Sequence, residues 1–531
     1  MKNIQLLDCT LRDGGHINHS EFGEDVIKSI IRDLASSGMD VIETGFLQNC
    51  EYDPDRAMYN TIEEAKRVLP KARPAHVKYA LMAQADLYDF SKLEDNDGTF
   101  EIIRISFHDY HIEEGFAACE YVTRKGYKCF VNPINIMGYS DAQLLGFIKR
   151  ANEIGVYGFT MVDTFGAMQR QDLVRIYNLI EHNLDKGIRI AVHLHENQSL
   201  SFSLAQNFID ISVSDRDITI DGSLYGMGRV PGNLCIELMM KYMNENCGAS
   251  YDIEPVYDAI DEYIAEIKKR IPWGYSIAYA LSAQHKVHRT YAEYLMGAGR
   301  LKTKQINQIL SRIDNDHKTR FDREYADMLY AEYQSHSIDD TADKERLLQI
   351  ISEKKDGAGI TASPVLIIAP GLSIREHRQD IEDYIRLADP FVITANFIWK
   401  EYASHAAFFS NIRRWETFHD KSGADIKVIT SNLLDAGYEY DLAVNYSDYA
   451  YYKDQISDNC ILMLLRLLDS IGVKNVAFAG FDGFKSGPNF ALSQMERNAD
   501  HTNDNRITVD VLNTLSQNMN FTWVTQSVFG S

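Results

Sequence analysis

Eight short apolar runs alternate with helix-patterned stretches over roughly the first 235 residues, and this alternation constrains the fold more than any other feature. The runs are "IQLLD", "VIETGF", "VKYALM", "IIRISF", "KCFVNPIN", "GFTMVDT", "IRIAVHLH" and "DITIDGS". Between most of them lie segments such as "EDVIKSIIRDLASSG", where apolar residues recur at three- and four-residue spacing and a glycine closes the end. Eight strand–helix repeats in about 230 residues predict an α/β fold, a (β/α)8 TIM barrel spanning residues 1–248. A doubly wound open sheet is the competing arrangement.

At 531 residues the chain is too long for one growing core, so further domains are expected. Over residues 249–334, "VYDAIDEYIAEIKKRI", "AYALSAQHKVHRTYAEYLMG" and "TKQINQILSRI" read as consecutive helices with no strand between them, a helical extension. Residues 335–362 are polar, charge-rich and glycine-containing towards the end, and read as a linker carrying a short helix. From 363 to 531, "PVLIIAP", "PFVITANF", "IKVITSN" and "VKNVAFAGF" mark a second, Rossmann-like α/β domain with a parallel sheet.

The balance of 54 basic against 76 acidic residues, a formal net charge of −22, argues against nucleic acid or an anionic membrane surface as the main partner. No apolar window is long enough to span a bilayer, and "MKNIQLLDCT" has no signal-peptide layout. Seven scattered cysteines form no close pair, which fits reduced thiols in the cytoplasm.

Active sites of such barrels gather at the C-terminal ends of the strands. Arg12, Asp13 and His16 follow the first strand, Glu43 lies in the second, and Asp163 and Thr164 end the sixth. His193 and His195 are two apart on an extended strand and point to one side. Two imidazoles and a carboxylate make an N/O donor set suited to a divalent ion. In "LLDCTLRDGGHINH" the two glycines are expected to give the loop the freedom to fold back over the mouth. Asp8 has no assigned role beyond an anchor for Arg12.

"DCTLRDGGH", "VHLHENQSLSFSLA" and "DGSLYGMGRVPGN", in that order, resemble the motifs of the DRE-TIM metallolyase superfamily over about residues 3–310, and the 4-hydroxy-2-oxovalerate aldolase branch in particular. The resemblance implies Asp13, His193 and His195 as metal ligands, with Mn2+ foremost and Mg2+, Zn2+ or Co2+ as alternatives. It implies Arg12 beside the enolate oxygen, His16 as the base for the 4-hydroxyl, and Thr164 near the carboxylate of pyruvate. Asn233 matches an additional metal ligand of the lyase branch. The family's tyrosine from the first helix after the barrel is replaced by "AQH", with Gln284 and His285 near its place and Tyr279 and Tyr291 on either side. Either His285 substitutes or the proton relay differs.

Near the start of the second domain, Pro370-Gly371-Leu372-Ser373 forms a strand-to-helix turn of the kind that can present backbone N–H groups to phosphate. With "ITANFIWKEYASHAAFFSN" and "NADHTNDNRITVDVLNTLSQ", residues 363–527 resemble the sialyltransferases of glycosyltransferase family 42, which bind a CMP-sugar. That resemblance implies Gly371, Ser373 and Asn396 at a nucleotide site and His501 near the catalytic histidine. Ala369-Pro370-Gly371-Leu372 replaces the family's asparagine–glycine pair.

Together these readings predict a bifunctional, cytoplasmic enzyme of surface-glycan biosynthesis. One half joins or splits pyruvate, a 2-oxo acid, and an aldehyde. The other binds a CMP- or other nucleotide-sugar and is open to being a transferase. Homo-oligomerisation is compatible with this organisation. The alternatives are a Claisen-type acyl-CoA lyase or synthase, and a C-terminal domain that only binds or oligomerises.

Overall fold

Strand β1 (Ile4–Asp8) pairs in parallel with β2 (Val41–Leu47) on one side and β8 (Ile218–Gly222) on the other, which closes the first sheet on itself. Between them run β3 (Lys78–Gln84), β4 (Ile102–Phe107), β5 (Lys128–Pro133), β6 (Gly158–Asp163) and β7 (Arg189–Leu194), every pairing parallel. These are the eight apolar runs of the sequence, and the (β/α)8 barrel is present. The computed structural model describes residues 3–213, 215–297, 299–354, 364–451, 457–496, 501 and 503–530.

Side chains alternate across each strand. Outward-facing residues meet the surrounding helices; the helix Glu24–Ser36 buries Ile27, Ile30, Ile31 and Leu34 against them. Inside, Leu7, Val41, Ala80, Ile102, Phe130 and Ala191 form an apolar layer. Two residues further along five of these strands come Glu43, Met82, Arg104, Asn132 and His193, all lining or buried beneath the C-terminal mouth. An apolar floor beneath charged groups leaves them no water below, so they must pair with one another.

The chain divides into two units, Met1–Arg289 and Thr290–Ser531. The division cuts the stretch read as a helical extension. Helix Ile277–His285 stays with the barrel, whereas Thr303–Leu310 and Arg323–Gln334 belong to the second unit. There Tyr330 donates to Asp458 at 2.6 Å, and Arg300 and Lys302 pair with Asp458 and Glu416.

The second unit holds a seven-stranded parallel sheet. Its strands are β9 (Val365–Ile368), β10 (Phe391–Ala395), β11 (Ser404–Phe409), β12 (Ala424–Thr430), β13 (Leu442–Val444), β14 (Asn475–Ala479) and β15 (Asn520–Trp523). Their order is β13-β12-β11-β10-β9-β14-β15, so the direction of winding reverses at β9 and β14. The helix Cys460–Ser470 is buried almost all round and packs across β10 and β11.

The polar stretch 335–362 is not a free linker. Its helix, Thr341–Glu353, buries Leu347 and Ile351 in the core of the second unit. Asp343 and Asp340 accept the N–H groups of Ala443 and Asn445 at 2.8 and 3.0 Å. Polarity on one face concealed an apolar pair four residues apart on the other. The end of that stretch lies outside the described residues. Among the described residues no helix is long and apolar enough to cross a membrane, and all seven cysteines are free thiols.

Candidate active site at the barrel mouth

The loop after β1 is one widened helical turn, Thr10–Gly14, wound around a single acceptor. The carbonyl of Cys9 receives the N–H groups of Arg12 at 3.2 Å, Asp13 at 2.8 Å and Gly14 at 3.5 Å. Widened turns of this kind concentrate at functional sites, because they turn side chains away from the regular helical direction. Asp8 fastens the turn rather than Arg12. Its carboxylate accepts Thr10 N at 3.0 Å and Thr10 Oγ1 at 2.8 Å, and that hydroxyl in turn accepts Leu224 N at 2.8 Å. Burial lifts the Asp8 carboxyl to about 7, against these hydrogen bonds.

The glycines serve close packing, not unusual backbone angles. Gly14 and Gly15 have helical φ values of −56° and −57°. A Cβ on Gly14 would press on Met227 at 3.1 Å, and one on Gly15 would meet Ser20 Oγ at 2.7 Å.

A continuous charged network lies behind this loop. Arg12 Nε donates to Glu43 Oε2 at 2.7 Å, and its terminal nitrogen is 3.2 Å from Asp13 Oδ1. Arg104 reaches Glu43 at 3.3 Å, Asn132 at 3.1 Å, and Asp221 in a short contact. Asp221 Oδ2 is 3.1 Å from His193 Nδ1, while His193 Nε2 faces Asp13 Oδ2 at 3.3 Å. Burial opposes charge on Arg12, Asp13, Arg104, His193 and Asp221, yet the pairs prevail. Arg12 and His193 hold Asp13 well below the usual carboxylate range, and Arg104 and His193 lower Asp221. The carboxylates of Asp13 and Asp221 overcome burial to raise His193. His195, buried among cations, is pushed down to about 3.

Asp13, His193 and His195 each present one donor atom within 4.8 Å of the others, all three buried. Asp13 Oδ2 has no well-formed hydrogen bond although it is shut off from solvent. A carboxylate oxygen and two imidazoles converging with an unsatisfied acceptor fit a divalent ion. Asp221 stands behind His193 as an orienting carboxylate.

His16 sits across the cleft with its side chain 46% exposed, 3.7 Å from Asp13 and edge-on to Phe46 at 5.5 Å. The cleft walls, then Arg12, Arg229 and Arg289, push it down to about 4 against the pull of Asp13, so it is neutral near pH 7. Thr164 lines the same cleft, of about 650 Å3, and its hydroxyl accepts Asn135 N at 2.7 Å. Asn233 is bridged through its backbone to His195. Its Nδ2 donates to the carbonyl of Met227 at 3.3 Å, and its buried Oδ1 has no hydrogen-bond partner.

His285 does not line this cleft; it ends its helix, and the chain then turns so that His288 and Arg289 line a small side cavity shared with Thr164, His195 and Arg229. Arg104, Asp221 and Arg229 also went unassigned in the sequence. The first two carried a signal: a single charge inside an otherwise apolar strand, "IIRISF" and "ITIDG".

Residues 3–261 match the HMGL-like family. Among curated relatives, the oxaloacetate decarboxylase of Mycobacterium tuberculosis is 22% identical over 59% of this chain and 91% of its own. The 4-hydroxy-2-oxovalerate aldolase of Pseudoalteromonas translucida is 22% identical over 57% and 92%. The HMG-CoA lyase from Brucella melitensis, a solved structure, is 12% identical with a TM-score of 0.41 over 51% of this chain and 100% of that one. The HMGL-like region thus coincides with the barrel and its charged mouth.

Outside the HMGL-like region, a cleft of about 1010 Å3 opens in the second unit where the winding reverses, at the ends of β9, β10 and β14. Gly371, Asn396 and His501 line it. His501 stacks on Phe484 with centroids 3.7 Å apart, and its Nδ1 meets Asp504 at 2.8 Å. Asn396 uses its Oδ1 to accept Ser410 N at 3.1 Å. Ser373 lies outside the cleft lining. Asp482 accepts its N–H at 2.9 Å and its hydroxyl in a shorter contact, so a carboxylate of the chain already occupies the turn expected to receive phosphate. Gly371 is required there by packing, because a Cβ would lie 2.3 Å from the carbonyl of Gly480.

Proposed function

We propose that the first unit is a divalent-metal-dependent aldolase that forms or cleaves a 4-hydroxy-2-oxo acid, with pyruvate as the 2-oxo acid. One observation carries this reading: the Asp13–His193–His195 donor set, the Arg12 guanidinium fixed by Glu43, and a neutral His16 all converge on one cleft. A divalent ion held by that donor set would act as a Lewis acid on the 2-oxo group, and Mn2+ suits the mixed donors. Asn233, bridged to His195 and with a buried unpartnered Oδ1, would add a donor.

In the cleavage direction, His16 accepts the proton of the 4-hydroxyl. The bond between C3 and C4 breaks, the aldehyde departs, and the electron pair moves to the 2-oxo group. Arg12, preset by Glu43 and Asp13, meets the developing charge without reorganising. Protonation at C3 gives pyruvate. Thr164, which lines the same cleft, would receive the carboxylate.

Deuterium exchange into the pyruvate methyl group, followed by proton NMR, tests the donor half without any knowledge of the aldehyde. Exchange is expected to depend on metal and to be lost in Asp13→Ala. Exchange equal with and without metal would remove the reading. Replacement of His16 by alanine should keep exchange and lose aldehyde release.

For the second unit we propose a nucleotide-sugar site in the cleft at the winding reversal, with Gly371, Asn396 and the Phe484–His501 stack along its wall. Its support is that position, where open parallel sheets bind nucleotides. The phosphate role of Ser373 is not part of this reading. Titration calorimetry with CMP and UMP is the test, and absence of heat with both would end it. If His501 transfers the sugar as well, His501→Ala keeps the affinity and loses turnover. The free thiols favour a reducing compartment, the cytoplasm.

A further inference from the structure

Side chains that point into the barrel stack in layers, two residues apart along each strand. Above the apolar floor and the charged layer comes a third, at the rim, and its composition changes around the ring. Just past β6 and β7 it holds Thr164 and His195. On β3 and β4 it holds Gln84 and Ser106, which stand side by side in register. His108, two residues beyond Ser106, continues that wall of the cleft.

In a closed ring of eight strands β3 lies four away from β7, so this wall faces the metal donor set from across the mouth. A 2-oxo acid that reaches both the donor set and Thr164 takes the side of β6 and β7. The space left for the aldehyde is bounded by β2, β3 and β4. His16 stands on that side, edge-on to Phe46 of β2.

Three polar side chains there keep hydrogen-bonding capacity. Gln84 Nε2 donates to Asp86 Oδ1 at 2.9 Å, which fixes the amide and leaves Oε1 as an acceptor. Ser106 is 8% exposed, and its Oγ has no hydrogen-bond partner among the described residues. His108 lies flat on Tyr110, with ring planes 6° apart and centroids at 4.9 Å. Neither of its ring nitrogens has a hydrogen-bond partner among the described residues. Burial pushes His108 below its ordinary value, so near pH 7 it offers one donor, one acceptor and no charge. Arg104, in the layer beneath, is taken up by Glu43, Asn132 and Asp221.

A hydroxyl is the group that donates and accepts without carrying charge, and it matches such a wall. An alkyl chain seated there would strip water from three polar groups and return no hydrogen bond. We propose that Gln84, Ser106 and His108 bind hydroxyl groups of the aldehyde that adds to pyruvate, which makes that partner a short, uncharged hydroxyaldehyde of the glyceraldehyde class. This rests on the aldolase reading and narrows it to a substrate class. The cleft, about 650 Å3, has room for pyruvate and a three-carbon aldehyde together.

The test measures kcat/KM of the metal-loaded full chain for addition of pyruvate to glyceraldehyde and to propanal, which share a carbon skeleton. Wild type is expected to prefer glyceraldehyde by about 10- to 100-fold, the range for one or two hydrogen bonds left unmade. Because hydroxyls also activate the neighbouring carbonyl, the deciding readout is how that ratio changes on substitution. Ser106→Ala and Gln84→Met should each lower it about 5- to 10-fold, through KM for glyceraldehyde. Ser106→Thr, which keeps a hydroxyl, should retain most of it. A ratio unchanged in both Ser106→Ala and Gln84→Met would overturn the hydroxyl-binding wall. So would rates that fall equally for the two aldehydes, or a wild-type preference for propanal. Metal-dependent pyruvate exchange, measured without aldehyde, keeps the two readings separable: exchange with an unchanged ratio leaves the aldolase reading and removes the wall. Where exchange is absent, saturation-transfer NMR with glyceraldehyde decides. A signal lost in Ser106→Ala keeps the wall while the aldolase reading falls; a signal equal in both proteins, or none, removes both.

Discussion

Asp221 is the residue on which the donor set most depends without belonging to it. It joins the buried Arg104 to Nδ1 of His193, fixing which ring nitrogen faces Asp13. Asp221→Asn keeps the shape and removes the charge. Metal affinity is expected to fall about 10- to 100-fold, as it does when an orienting carboxylate is lost. Titration of Mn2+ into wild type and variant measures this. Arg104 retains Glu43 and Asn132, so the fold should survive while losing stability.

Asp8 carries a pH dependence of its own. Its carboxyl is raised to about 7 by burial, and Asp163, buried and bonded to the N–H groups of Ala167 and Met168, is also raised to about 7. A raised carboxyl keeps its proton in the folded state and releases it on unfolding. Stability is therefore greatest below the unfolded value near 4, falls as pH rises, and levels off above about 7. Each unit of displacement is worth about 1.4 kcal/mol. The thermal midpoint of Asp8→Asn is expected to fall less between pH 5 and pH 8 than that of wild type. An unchanged difference would show that Asp8 does not contribute.

At the scale of elements, β2 carries a device with a long reach. A bulge between Glu43 and Phe46 centres on Gly45, whose φ is +148° and whose position leaves 2.2 Å between a built Cβ and the carbonyl of Ala57. The bulge sets Glu43 under Arg12 and admits the short strand Met58–Tyr59 beside β2. Gly45→Ala must displace one strand or the other. It is expected to cost about 2–4 kcal/mol and to lower the thermal midpoint by several degrees, as measured by circular dichroism.

The eight barrel strands were legible because each is an apolar run bounded by a helical pattern. Three strands of the second unit were not. "SHAAFF" and "NFTW" open on polar residues, and "LAV" is only three residues long. Their identity comes from neighbours already in the sheet, a tertiary effect that overrides local pattern.

At the scale of the whole molecule, each unit has its own apolar core, the barrel's inner and outer layers in one and the two faces of the parallel sheet in the other. The donor set lies wholly in the first unit. Divalent metal should therefore raise the melting of one unit only. At a hundred times the dissociation constant the expected gain is about 2.7 kcal/mol, visible in calorimetry as one transition that moves and one that does not. Two transitions moving together would contradict this separation.

The division of the chain at Arg289 and Thr290 was not visible beforehand, because helices on both sides share one pattern. Read along the chain, the barrel, the donor triad, Arg12 and His16 are all present in the sequence. Strand ends converge at one mouth in this fold, so position along a strand foretells position in space. Which imidazole Asp221 orients, why Gly14 and Gly15 have no side chain, and that His288 and Arg289 rather than His285 line a side cavity next to the cleft were decided only by tertiary contacts. Apart from Gly15 against Ser20, each joins residues tens to hundreds of positions apart through packing distances of a few ångströms, and no local pattern records such distances.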